Sequence, residues 1–336
     1  MHIGKSYRLA DFLLWTRRKA YVLLALSVIP VAAHQLAGWH WLAVPWVVVA
    51  LLGTATSFIV GFKNAQTYGR TLEAQQVWTA IAAISRYWAM LCRNFPVSAD
   101  AGAMLVQRHL AWLTAVRYQA RGRRVWETAS SGSNHEYRDK RFIVPEHETP
   151  LSQELARYLS GEELARVSRA RGKATLLMHL QSDALRAMAG RQELAGPHHI
   201  EMQKTLKDLL DQQARVERIK NFPYPRQYAI VNTLFVWSFA ALLPFGLAPE
   251  FHRLAGTTQG LLAIGLPWLA APFSLLISWM YVSLDQVGES TENPFEGGAN
   301  DVPITQVCRL LEIEMRQVDD DSGDLHLPLP SGDIIL

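Results

Sequence analysis

Thr54, Phe58 and Phe62 recur every four residues inside the stretch WLAVPWVVVALLGTATSFIVGFKN, residues 41–64. That spacing puts a hydroxyl and two aromatic rings on one stripe of a helix. If several copies of such a helix packed together, the stripe would line a shared axis, and a ring of phenylalanines is a constriction that passes or stops ions by wetting and dewetting. Gly53, Ala55, Ser57 and Gly61 surround the stripe and are small enough to let neighbouring helices approach closely. Periodicity alone favours an ordinary lipid-facing or bundle-core stripe over a pore lining.

The other residues with chemistry to offer are few. His34 and His40 lie near the outer end of an apolar run. Paired membrane histidines can ligate haem, but with two of them and no matching pair on another span, hydrogen bonding at the interface is the stronger reading. His198 and His199 follow Gly196-Pro197; they would titrate near neutral pH if they ringed an aperture, and a plain surface turn accounts for them equally well. Glu289 and Glu292 stand where the last apolar run turns polar. Ion pairing with Arg70 or Lys63 is the first reading for them, an ion-attracting vestibule the second. Asp319, Asp320, Asp321, Gly323 and Asp324 lack the spacing and terminal glutamate of a calcium loop and read as a solvated acidic tail. Cys92 and Cys308 are too few for a zinc site and, in a reducing compartment, are expected to be small buried hydrophobes. There is no Walker loop, GxGxxG, HExxH or nucleophile elbow. The sequence therefore points away from an enzyme and calls for no metal and no cofactor.

The elements that would position these residues are helical. Four runs are nearly free of charge, and an apolar helix of roughly 20 residues crosses a bilayer. They fall at about 20–39, 41–64, 227–249 and 260–284. Residues 1–19 read as a polar start with a short amphipathic helix, Leu9 to Leu14, lying along the membrane surface. Trp39, Trp41 and Trp46 cluster at the turn between the first two spans, where interfacial aromatics are expected. The second span continues in helical period through Trp78 to Phe95 and stops at Pro96. Residues 101–120 form another amphipathic helix, 121–150 read as a loop, 151–194 as one or two helices, and 200–220 as a polar helix after the Gly196-Pro197 break. Pro244 is expected to bend or end the third span, and Pro267 and Pro272 to break or kink the fourth. A final helix spans about 304–318. No alternating pattern long enough for a strand appears.

The chain thus divides into 1–62 (surface helix and two spans), 63–226 (polar helical region), 227–284 (two spans) and 285–336 (C-terminal helices and tail). One of the 33 Lys and Arg residues, Arg253, lies in the two short outer loops. The positive-inside rule then puts the polar regions and both termini in the cytoplasm. The net charge of +3 is too small to argue for a nucleic-acid partner.

Four patches resemble the bestrophin family, in particular its bacterial members. Gly61-Phe62-Lys63-Asn64 with Tyr68, Arg70, Glu73 and Trp78 is similar to its first signature; Pro223, Pro225 and Tyr228 to its second; Leu242-Leu243-Pro244-Phe245-Gly246-Leu247 to its third. Asp285, Gly288-Glu289, Glu292-Asn293-Pro294-Phe295 and Asn300-Asp301-Val302-Pro303 resemble its most recognisable stretch. The resemblance implies an all-α, four-span membrane protein assembled as a homopentamer around a central pore. Its neck would be Thr54, Phe58 and Phe62, and a second, cytosolic aperture would fall near Pro197 and His198. In the acidic run that binds calcium in animal members, this chain has Glu296-Gly297-Gly298-Ala299-Asn300-Asp301. Calcium prefers six to eight oxygen ligands, several of them charged, so calcium gating of that type is not expected.

The leading expectation is an ion channel of a bacterial inner membrane that conducts small monovalent ions passively, with the lipid bilayer and its own copies as partners. The sequence leaves the sign of the ion open, because ring edges favour anions and ring faces cations. The alternative is a non-conducting membrane scaffold that presents the cytoplasmic helices to a soluble partner. A haem-bearing redox protein is a weaker third.

Overall fold

A computed structural model describes residues 1–5, 7–128, 132–317, 326–327 and 329–336. The chain is all-helical. In order it forms α1 (Leu9–Leu36), a 3-10 turn (His40–Leu42), α2 (Trp46–Asn94), α3 (Ala99–Arg121), α4 (Gly132–Asp139), α5 (Pro145–Glu148), α6 (Leu151–Leu155), α7 (Gly161–Arg169), α8 (Lys173–Gly190) and α9 (Gly196–Asn221). Then come α10 (Arg226–Ala255), α11 (Leu261–Gly265), a second 3-10 turn (Leu266–Leu269), α12 (Ala270–Thr291) and α13 (Ile304–Gln317). The extended contacts among the described residues are isolated bridges, His2 with Ile334 and Ser331 with Ile334.

Among the described residues, four helical segments are long and apolar enough to cross a membrane: α1, α2, α10 and the stretch Leu261–Thr291. α2 dominates the layout. At about 1.5 Å per residue it runs about 74 Å, more than twice the hydrocarbon core of about 30 Å. Its first half packs against α10 and α12, and its second half against α3, α9 and α13. Pro96, just beyond Phe95, closes it.

Two cores follow from this division. Among the described residues, the polar half has a large continuous core that includes Trp78, Trp88, Trp112, Leu105, Leu177, Leu209, Leu311 and both free cysteines, beside a small cluster of Phe142, Val144 and Ile334. The apolar half has smaller clusters, such as Leu23, Val60, Val236, Ala240 and Val282, or Val49, Phe239 and Leu243. Interspersed with them are buried Thr16, Ser27, Thr56, Ser274 and Ser278. In lipid, helix association depends on close van der Waals fit and small residues. Gly53 shows this: a Cβ there would lie 2.8 Å from the Phe239 ring. A Cβ at Gly246 would lie 2.8 Å from Val49.

Several boundaries differ from the sequence expectation. Residues 9–19 are the first turns of α1, not a separate surface helix; no Pro or Gly interrupts the run before Pro30. The 121–150 segment contains α4 and α5 rather than loop alone, and 151–194 holds three helices, with Gly161 at φ 56 opening α7 and Gly172 between α7 and α8. α10 passes through Pro244 and Pro249 to Ala255 without ending; within a bundle, neighbouring groups can satisfy what proline leaves open. The fourth span is broken at Leu266–Leu269, with Pro267 in the 3-10 turn. Pro272 sits in the first turn of α12, where no backbone N–H is needed. The acidic stretch Asp319–Asp321 with Gly323 and Asp324 lies outside the described residues.

Candidate functional site

The stripe noted first in the sequence leaves its own subunit. Gly53, Thr56, Val60 and Lys63 are the buried face of α2, packed on α10 and α12. Thr54, Phe58 and Phe62 lie on the other side: Phe58 is 76% exposed, Phe62 55%, and Thr54 is exposed as well. The Thr54 hydroxyl donates to the Ala50 carbonyl at 2.9 Å, a bond within the helix. Two large rings uncovered in one protomer are an apolar face that needs a cover, whether lipid, another protein or a dewetting lumen. Gly61, beside Phe62, has open space around it.

Directly after Phe62 the helices are locked by polar contacts. Lys63 Nζ donates to Asp285 Oδ1 at 2.6 Å, and both side chains are about 95% shielded. Asn232 on α10 also donates to Asp285 Oδ1. Asn64 Nδ2 donates to the Leu284 carbonyl at 3.2 Å, and its side chain occupies the space that a Cβ on Gly288 would need. Arg70 ties three segments together, donating to the Glu292 carbonyl at 3.0 Å and the Ile219 carbonyl at 2.9 Å.

The acidic pair does not bond as the sequence suggested. The Glu292 carboxylate pairs with Arg226 at 3.1 Å, and Glu289 pairs with Lys19 at 3.5 Å. Arg70 takes the Glu292 backbone instead of its carboxylate, and Lys63 is spent on Asp285. Burial pushes the Glu292 carboxyl up, against the opposing pull of Arg226 and Lys63.

The remaining family-like positions are structural in their contacts. Glu73 pairs with Arg218. Trp78 and Phe295 are core residues, whereas Tyr68 is exposed. Pro223 and Pro225 bracket the joint between α9 and α10, and Pro225 caps the start of α10. Pro244 is buried within it. Asn293 donates to Glu296 at 3.4 Å, Pro294 O accepts from Val302 N at 3.2 Å, and Asn300 Oδ1 accepts from Tyr7 at 3.1 Å.

The two carboxylates left in the diverged acidic run are both buried and bonded. Asp301 accepts from Arg121 at 3.2 Å and from the Gly297 N–H at 2.7 Å. Glu296 accepts from the Thr128 N–H and hydroxyl, each at 2.9 Å. Burial, with Asp301 beside it, pushes the Glu296 carboxyl up to about 8 from an ordinary 4.5. A carboxyl that holds its proton more tightly folded than unfolded stabilises the fold below the ordinary value, and that contribution fades as pH rises through the folded one. Glu296→Gln should therefore flatten the thermal midpoint between about pH 5 and pH 8, while the wild type declines across the same window. Parallel melting curves of the two proteins check this. Among the described residues, no group of three or more His, Cys, Asp or Glu is arranged to hold a metal ion.

Pro197 and His198 open α9 rather than a free turn, with Pro197 in its first turn, where its missing N–H costs nothing. The His198 ring stacks on Phe95 at the end of α2, centroids 3.9 Å apart and 9° from parallel. His34 and His40 do bond each other, ring nitrogens 3.2 Å apart. A third ring, His252 of α10, joins them at 5.5 Å and 5.7 Å. The sequence reading missed it, because nothing in the spacing announces a contact between the C-terminal ends of α1 and α10. Rings this close do not flank a porphyrin.

Three comparisons bear on this arrangement. The family described as "Bacterial/Fungal Bestrophin protein" matches residues 14–317. The voltage-dependent anion channel-forming protein YneE of Escherichia coli (strain K12) is 24% identical over 274 residues, 81% of this chain and 76% of that protein. The voltage-dependent anion channel-forming protein mll4386 of Mesorhizobium japonicum is 25% identical over 279 residues, 83% of this chain and 76% of that one. Among solved structures, a single-substitution variant of a bacterial bestrophin homologue from Klebsiella pneumoniae superposes with a TM-score of 0.73 at 21% identity, covering 92% of this chain and 99% of that one.

Proposed function

The chain belongs to the bacterial and fungal bestrophin family, and on that premise we propose that it is an ion channel that passes small monovalent anions down their gradient. Copies of the chain assemble around a fivefold axis with Thr54, Phe58 and Phe62 of each α2 forming the neck. The observation that carries this reading is the exposed stripe, which faces away from every helix of its own subunit and needs a cover that identical copies supply. Anions are favoured on two grounds. The relatives bear the name of anion channels. Along α2 no carboxylate precedes Glu73, and that one is paired with Arg218, so nothing on the upper helix repels an anion.

The chain spans a bacterial inner membrane four times, with residues 63–226 and 285–336 and both termini in the cytoplasm. Lys and Arg flank the inner ends of the spans, at Arg17–Lys19, Lys63 and Arg226. Pro197 and His198 are placed at a cytosolic aperture, next to the far end of α2. The test is a reversal-potential measurement on purified protein in planar bilayers under a KCl gradient, paired with a symmetry count of the same particles by electron microscopy. Fivefold particles with a reversal potential near that of chloride support the proposal. A value near that of potassium overturns the anion assignment, and silent fivefold particles overturn conduction.

A further inference from the structure

On the polar side of the α1–α12 packing, a cavity of about 220 Å³ lies between the first turns of α1, α4 and the loop that follows α12. Tyr7, Phe12, Trp15, Tyr137 and Phe142 supply its rings. A cavity of roughly 150 Å³ holds benzene, so this one has room for a ring with a short tail.

Most polar groups at its edge are already spent. Trp15 Nε1 donates to Asn134 Oδ1 at 2.8 Å, Tyr7 donates to Asn300, and Asp11 is neutralised by Arg141. Glu296 is bonded to Thr128, and burial pushes its carboxyl toward the uncharged form. Arg138 is the exception. Its side chain is 13% exposed, and its ion pair among the described residues is a 3.5 Å contact to the neighbouring Asp139, a carboxylate 49% exposed that also accepts from His135 at 2.8 Å. A guanidinium carries five N–H donors in a planar fork suited to a carboxylate, and the 3.5 Å Asp139 contact leaves most of those of Arg138 unused. An anion entering this cavity meets an apolar wall and an underused arginine, the usual make-up of a small-molecule site.

We propose that this cavity binds a small organic carboxylate with an apolar body, of the arylalkanoate class, its carboxylate on Arg138 and its ring among Phe12, Trp15, Tyr137 and Phe142. Val287 and Ser290 of α12 also line the cavity, so an occupant braces the helix whose Asp285 grips Lys63. Binding does not depend on the channel reading, and neither does its test.

The experiment is titration calorimetry of the full-length protein in lipid nanodiscs with 3-phenylpropionate, 3-phenyl-1-propanol as the uncharged counterpart, and empty nanodiscs as the blank. Saturable binding of the acid is expected, at least tenfold tighter than the alcohol, and at least tenfold weaker in Arg138→Gln. No saturable binding of the acid to wild type overturns the proposal. So does equal binding of acid and alcohol, which marks apolar partitioning alone, or undiminished binding by a folded Arg138→Gln protein. The acid–alcohol comparison is made on wild type, so it decides the matter even if the variant does not fold.

Discussion

Phe58→Ala in the full-length protein raises the single-channel current in planar bilayers on the order of tenfold, and Phe62→Ala raises it by a similar or smaller factor. Each substitution removes a complete ring of side chains from the narrowest stretch, widening it and making it easier to wet. A barrier lower by about 1.4 kcal/mol corresponds to a tenfold rate. Phe58 is 76% exposed in its own protomer, so its loss costs the subunit little packing; substitutions of that kind usually fall within about 0.5 kcal/mol of neutral. A change in current with an unchanged thermal midpoint therefore reports on the axis and not on misfolding. Ile29→Ala is the control: Ile29 is 67% exposed on α1, where the proposed assembly puts lipid. Should Ile29→Ala alter the current while Phe58→Ala does not, the stripe faces the bilayer and the pore lies elsewhere.

Much of this fold was legible because membranes impose simple demands. A span needs a long run without charge, and four such runs stand out. The extension of α2 was legible because apolar residues kept their helical period beyond Lys63; the break at Pro267 was legible because proline lacks the N–H that a helix interior uses, although Pro30, Pro244 and Pro249 are carried inside helices. What escaped was set by distant partners. The start of α1 was misplaced because Arg17, Arg18 and Lys19 look like an end, although a helix tolerates them when α4 supplies Glu136 to the arginines and α12 supplies Glu289 to Lys19. The pairings of Glu289 and Glu292 were misread for the same reason: Arg70, Lys63, Arg226 and Lys19 all lie within a turn or two of the same level. Sequence spacing does not choose among them, whereas the packing of α1, α2, α10 and α12 does. The stripe shows the opposite limit. Its exposure follows from one chain, but what covers it is a property of the assembly.

Lys63→Met costs the protein about 3–5 kcal/mol, the usual penalty for removing one partner of a buried ion pair. It leaves Asp285 shielded from solvent with the Asn232 amide as its remaining side-chain donor. Lys63→Met combined with Asp285→Leu recovers part of that loss, because an apolar pair of similar size needs no counter-charge, while the buried Asn232 amide still loses its acceptor. Thermal unfolding of detergent-purified wild type, both single variants and the double variant gives the coupling directly. The consequence for conduction follows from position. Lys63 is the residue after Phe62, and its 2.6 Å contact fixes the azimuth of α2 against α12, while Gly53 against Phe239 fixes it on α10. With the lower clamp gone, Phe62 loses its fixed bearing before Phe58 does, since Phe58 stands a turn nearer the glycine contact. Lys63→Met should therefore make currents noisier and their open level more variable, and the double variant should quieten them. A Lys63→Met protein as stable as wild type would show that the pair does not hold α2 in place, and the neck would need another anchor.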